Sequence, residues 1–342
     1  MSSMGEKIEL DAPMVDVHGH TLDLAFTSNR SLHHSLDGLT DVPLMRVGGI
    51  AAQLTACWVP DAAIGGPHAS RHPLQLILQM VDYLHRELDG EAGEYAGLAT
   101  SASDIEAARA NGKVAFVFGL EGGDSLKGDL SVLRTLYRLG LRHVGLVHEG
   151  RNALGSATQV WEGPTVRLYD SSIDPPGGLS PAGKEVIREM DRLGMLVDVT
   201  HMVEASFWDA LDVARGPVVA THGNARSLRD SVRYLTDEQI RAIAATGGIV
   251  CPSPTPLGPG GEAPSLEMLL DHIDYMVELV GADYVGFGTD FLGQIDNRPT
   301  GLRDIGESRH IIEGLLQRDH SAEAISKILG GNFMRVFRAV AG

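Results

Sequence analysis

Short apolar runs rich in valine, isoleucine and glycine recur along this chain, separated by stretches with helical periodicity. That alternation constrains the fold most, because strands covered by helices on both faces build parallel sheets. Eight runs qualify as strands, at 14–17, 52–59, 114–120, 143–147, 196–199, 218–220, 249–252 and 285–288. Two of the intervening helices carry readable end signals. One starts at Ser180, has Glu185 in its first turns, spaces Val186, Met190 and Leu193 along one face and stops at Gly194. The other starts at Thr236, with Gln239 at capping-box spacing. Eight strands with eight crossovers predict an α/β fold, a (β/α)8 TIM barrel with loop insertions at its C-terminal face. No linker, repeat or low-complexity tract divides the chain, so residues 1–342 are read as a single barrel domain. The proline- and glycine-rich stretches at 170–178 and 252–264 are expected to be loops over the barrel mouth.

The net charge of -17 argues against nucleic acid and anionic membranes as partners and leaves room for a local pocket that takes a small anion. Cys57 and Cys251 both sit in apolar runs and are read as reduced core residues, too few for a disulfide framework or a zinc–cysteine site. The first residues lack the pattern of a signal peptide, and no run is long and apolar enough to span a membrane. A soluble, cytoplasmic protein is expected, with homo-oligomerisation left open.

The residues at the strand ends point to chemistry. The first run ends in VDVHGH (His18, His20) and the third in FGLEGG (Glu121). The fourth ends in GLVHEG (His148), the fifth in VDVTH (His201), the sixth in VVATH (His222) and the eighth in GFGTD (Asp290). A barrel brings all these ends to one face. Imidazoles and carboxylates are the ligands of zinc and similar ions. A single strand-end histidine is usually structural, but this many at separate strand ends are hard to assign to chance. Residues two apart in a strand face the same side, so His18 and His20 can grip one ion. His201 and His222 can grip a second, and Glu121 has two oxygens with which to bridge them. Such a pair of ions activates water and polarises a carbonyl. The remaining histidines are read as solvated or structural.

These motifs, with LSPAGKEVIREMDRLGMLVDVTH, VVATHGNAR, YVGFGTDF and GGNFMRVFRAV, give the chain a resemblance to the renal (membrane) dipeptidase family, peptidase family M19. The resemblance implies a zinc dipeptidase with two ions per chain. It implies His18 and Glu121 as ligands of the first ion, and Glu121, His201 and His222 as ligands of the second. It makes Asp290 the acidic residue beside the metals that handles the proton, and Asp290 is also counted among the candidate metal ligands. His148 becomes the group polarising the scissile carbonyl, and Arg233 the holder of the substrate's terminal carboxylate. The chain departs from the family pattern at His20, where the family usually has Asp. It departs again in HEGRNALGSA after the fourth strand, and at Leu292, which stands in DFLG where the family has an acid. It shows neither the signal peptide nor the lipid-anchor signal of the membrane-anchored members.

Two other readings remain. Another barrel amidohydrolase, acting on N-acyl amino acids or a related amide, uses similar ligands. Cyclic amidases and phosphotriesterases of this kind commonly bridge their metals with a carbamylated lysine from the fourth strand, and HVGLVHE has no lysine. Deaminases share the HxH pattern but usually hold one metal. A non-catalytic metal-binding protein is the second alternative, which the full ligand set with Asp290 argues against.

Overall fold

The computed structural model describes residues 11–36, 38–59, 72–162, 165–255, 263–291 and 298–342. Its strands are β1 (Met14–Gly19), β2 (Ile50–Trp58), β3 (Ala96–Leu98), β4 (Val114–Glu121), β5 (His143–Gly145), β6 (Gln159–Glu162), β7 (Thr165–Leu168), β8 (Leu196–Asp198), β9 (Val218–Ala220) and β10 (Ile249–Val250). The main sheet is parallel and runs β1-β2-β4-β5-β8-β9-β10, with β3 paired on β4. The predicted TIM-barrel class is the observed one, a curled parallel sheet wrapped by helices.

Seven of the eight predicted runs are strands; the eighth, 285–288, is a correction. It forms only a single bridge, Val285 to Val250, yet it joins the two ends of the sheet. On one side Gly286 N–H donates to Val250 O at 2.9 Å. On the other, Val17 N–H donates to Phe287 O at 3.0 Å and Asp290 N–H to His18 O at 2.9 Å. Its glycines make it a poor strand but allow close approach. A Cβ on Gly288 would lie 2.1 Å from the Thr221 carbonyl oxygen. Two further elements have no counterpart in the expectation. They are the short β3 and an antiparallel hairpin, β6–β7, inserted between β5 and β8.

Strand alternation sorts the core into two layers. Phe116, Phe118 and Leu120 of β4 pack outward with the surrounding helices. Ala115 and Val117 belong to a second cluster with Leu54, Leu196, Val219, Ile249 and Cys251. Phe333, Val336 and Phe337 of the C-terminal helix Asn332–Ala341 complete that cluster and cover the N-terminal end of the barrel. Both cysteines are free and buried, as expected. The helix Pro181–Leu193 begins on the Ser180 side chain, which accepts from Gly183 N–H, and ends at Gly194 with φ 76°. The helix Asp237–Ala245 carries the expected Thr236–Gln239 capping box. Each cap contributes about 1 kcal/mol.

His272, in the helix Leu266–Val280, is structural as read, and it is buried rather than solvated. Its Nδ1 accepts from Ala225 N–H at 3.1 Å, which supports the loop after β9. Burial pulls its pKa down to about 4. The unfolded chain therefore takes up this proton below about pH 6.5, while the folded chain resists it until about pH 4. Stability is full above pH 6.5 and falls through that window, by up to roughly 3 kcal/mol. His272→Asn keeps an acceptor and cannot titrate. Urea unfolding at pH 7 and pH 4.5 is expected to show a smaller acid loss in this variant than in the parent. Equal losses in the two proteins would remove His272 as the cause.

Candidate metal centre

Glu121 is the last residue of β4 rather than part of the turn, which begins at Gly122 with φ 87°. It is in register with Trp58 on β2 and Gly145 on β5. His18 lies on β1, where the pairing with β2 slips: Asp16 pairs Gln53, but Gly19 pairs Thr55. His20 has already left the strand, at φ -113° and ψ 29°, and precedes the helix Thr21–Ser28. The alternation rule therefore does not apply to it as expected. The bulge and the helix start still bring its ring within 5.1 Å of His18. His148 follows β5, His201 follows β8 and His222 follows β9. His201 and Asp290 sit in the left-handed region, at φ 67° and 52°. Histidine and aspartate are among the few residues with side chains that visit it often.

The five strand-end histidines converge on Glu121, and Asp290 joins them beside His18 and His20. Its Oε1 lies 3.0 Å from His201 Nε2, 3.4 Å from His222 Nε2, 3.4 Å from His18 Nε2 and 3.6 Å from His148 Nε2. Its Oε2 faces His20 Nε2 at 3.5 Å. Asp290 Oδ1 lies 3.3 Å from His20 Nε2 and 3.9 Å from His18 Nε2. Three groups of ligand atoms each fall within 4.8 Å of one another: His18, His20 and Glu121; His18, His222 and Asp290; Glu121, His201 and His222.

This donor set fits divalent cations. One carboxylate oxygen has lone pairs for about two strong hydrogen bonds, yet four imidazole nitrogens crowd it. His201 Nε2 meets His222 Nε2 at 2.9 Å, a contact between two nitrogens that also faces Arg233 Nη2 at 3.1 Å from His201. His18 Nε2 is buried with no hydrogen-bond partner among the described residues. Lone pairs aimed at a shared buried volume are what a cation satisfies.

The electrostatics agree. Burial would raise the Glu121 carboxyl, but His148, His18 and the hydrogen bonds around it outweigh burial and hold it well below the usual carboxylate range. Burial, with Arg233 next, pulls His201 down to about 4. Burial pulls His148 to about 3 against the attraction of Glu121, and His222 also falls well below its ordinary value. All three are neutral at pH 7, the form that binds metal. His20 moves the other way: burial lowers it, but hydrogen bonds to Asp23 and Asp290 prevail.

Asp23 and Gln159, which support the site, carried no sequence signal. Asp23 Oδ2 holds His20 Nδ1 at 3.2 Å and also accepts from Trp58 N–H. Arg233 is buried, and its Nε donates to Gln159 Oε1 of the hairpin at 3.2 Å. In HEGRNALGSA, Asn152 ties the loop down, its side chain donating to Leu146 O and accepting from Leu154 N–H. His143, one of the histidines read as solvated or structural, is a fully buried residue of β5 bonded to Asp198. A cavity of about 820 Å³ opens beside His201 and Arg233, with Tyr169, Met202, Trp208 and Leu235 on its walls. Leu292 and most of the 252–264 loop lie outside the described residues.

Known proteins share this architecture. Residues 4–342 match the family model described as membrane dipeptidase, peptidase family M19. A dipeptidase of Aspergillus oryzae (aclJ) is 30% identical, covering 91% of this chain and 72% of its own. A dipeptidase of Clonostachys rogersoniana (verJ) is 26% identical over 98% of this chain and 86% of its own. Among solved structures, a metallopeptidase of Rhodobacter sphaeroides, liganded with a phosphinate mimic of L-Ala-D-Ala, superposes with a TM-score of 0.83. It is 24% identical, and the match covers 96% of this chain and 99% of that one.

Proposed function

The chain belongs to the membrane dipeptidase family, peptidase family M19, and from that premise we propose that it is a zinc dipeptidase holding two ions around Glu121. The observation that carries the proposal is the convergence of His18, His20, His201 and His222 on the two oxygens of this one carboxylate. His18, His20 and Glu121 would hold one ion, and Glu121, His201 and His222 the other. When bound, the ions would lower the pKa of water and polarise the scissile carbonyl.

The chain's own residues do the rest. Asp290, part-exposed at the edge of the cluster, takes the proton of the attacking water and returns it to the leaving amine. His148 is neutral and has one N–H to give; it donates to the carbonyl oxygen as charge builds there. Arg233, held by Gln159, pairs with the terminal carboxylate of the dipeptide. No helix among the described residues is long and apolar enough to cross a membrane.

A panel of free dipeptides, amidated dipeptides and N-acyl amino acids tests this reading. It includes L-Ala-D-Ala because the Rhodobacter peptidase was captured with a mimic of it. Free dipeptides are expected to be cleaved, and amides to lose about ten- to a hundredfold in kcat/KM, since a charge-assisted contact is worth roughly 1.5–3 kcal/mol. Arg233→Ala should show that loss on free dipeptides and little further loss on amides. Preference for N-acyl amino acids over dipeptides would make the chain an acylase instead. Equal rates on free and amidated dipeptides would remove Arg233 from its role.

A further inference from the structure

Inside the barrel, directly beneath the metal centre, the strands bury a small polar layer. Register places it there: Glu121 pairs Gly145, which pairs Asp198, and Gly119 pairs His143. His143 and Asp198 thus share the inward face with Glu121. A side chain on Gly119 would lie 2.5 Å from His143 Nδ1, so the glycine makes room for the ring.

Proton bookkeeping fixes the direction of every bond in this layer. Asp198 Oδ1 accepts from Thr200 N–H at 2.9 Å and from the Thr200 hydroxyl at 2.5 Å. Oδ2 lies 3.0 Å from His143 Nε2 and 2.7 Å from Thr221 Oγ1. With its lone pairs taken by donors, this carboxylate has no room for a proton of its own, and the Thr221 hydroxyl must donate to it. That uses the hydroxyl's single proton. Thr221 Oγ1 also lies 3.1 Å from His18 Nδ1 and 3.2 Å from His222 Nδ1. Having spent its proton, it can only accept from both. Both imidazoles therefore carry their proton on Nδ1 and turn an unprotonated Nε2 toward Glu121, at 3.4 Å in each case.

We propose that Thr221, anchored by Asp198, is a positioning residue that sets the tautomer of His18 and His222 together and so couples the two metal positions. This rests on the two-ion reading above. One hydroxyl serves one histidine from each of the proposed ion groups, so its loss frees a ring at both.

The test reads metal, not turnover. Metal-loaded Thr221→Val and Thr221→Ser are challenged with a graded chelator, and retained ions are counted by mass spectrometry. Thr221→Val is expected to lose affinity at both positions together by about 10- to 100-fold. Thr221→Ser, which keeps the hydroxyl, should stay within about threefold of the parent. Unchanged retention in Thr221→Val, or loss at one position alone, overturns the coupling. If Thr221→Val does not fold, 15N-histidine NMR of the loaded parent enzyme decides. His18 and His222 should both show a proton on Nδ1 and coordination through Nε2, and coordination of either through Nδ1 overturns the proposal. Failure of the dipeptide panel with intact coupling would instead count against the dipeptidase reading alone.

Discussion

Glu121→Gln is expected to cost at least about a thousandfold in kcat/KM and to strip the protein of metal. The amide keeps the shape of the side chain and removes the charge that every proposed ion shares. Metal ions contribute several kcal/mol of transition-state stabilisation, and each 1.36 kcal/mol is a factor of ten. The geometry makes the loss cooperative: four imidazoles face Oε1 and one faces Oε2, so no neighbour can take over both roles. Metal analysis and a rate on one good dipeptide check this together. A Glu121→Gln protein that retains two ions and a rate within tenfold of the parent would end the bridging assignment.

The second large effect is expected at Asp290. Asp290→Asn should lower kcat by about 10²- to 10⁴-fold, the usual contribution of general acid–base catalysis, while KM and metal content change little. Asparagine suits this position, because the backbone there is left-handed at φ 52° and asparagine adopts that conformation readily. The substitution therefore removes the proton carrier without straining the turn. The separations from His18 and His20, 3.9 and 3.3 Å, place Asp290 at the edge of the cluster rather than at its centre. Metal loss in Asp290→Asn would make the residue a ligand. Full activity would leave it no part in the reaction.

The parts of this molecule that follow a period were readable in advance. Strand ends such as Glu121 and His18 are marked by the apolar run before them, and capping boxes such as Thr236–Gln239 by fixed spacing. The closing segment around Gly286 and Gly288 read as a strand because its neighbours are apolar, but it forms only the isolated bridge from Val285 to Val250. His20 reaches the cluster not by strand alternation but through a one-residue slip in β1 and a helix start. The β6–β7 hairpin pairs neighbouring stretches and gave no warning, and the hold of Gln159 on Arg233 joins residues 74 apart in the chain. His143 and Asp198 were hidden differently. Their meaning lies in which face of the barrel they share with Thr221, and face is a property of register, not of composition.

That hairpin divides the labour of the site. The residues proposed to break the bond leave the ends of barrel strands or the turns that follow them, whereas the arginine proposed to choose the substrate leans on an insertion between β5 and β8. Drift in the length or sequence of the insertion therefore moves the anchor of Arg233 and leaves Glu121 where it is. Lineages built on this plan are free to explore new diets by editing an appendage, with the hydrolytic engine inherited intact.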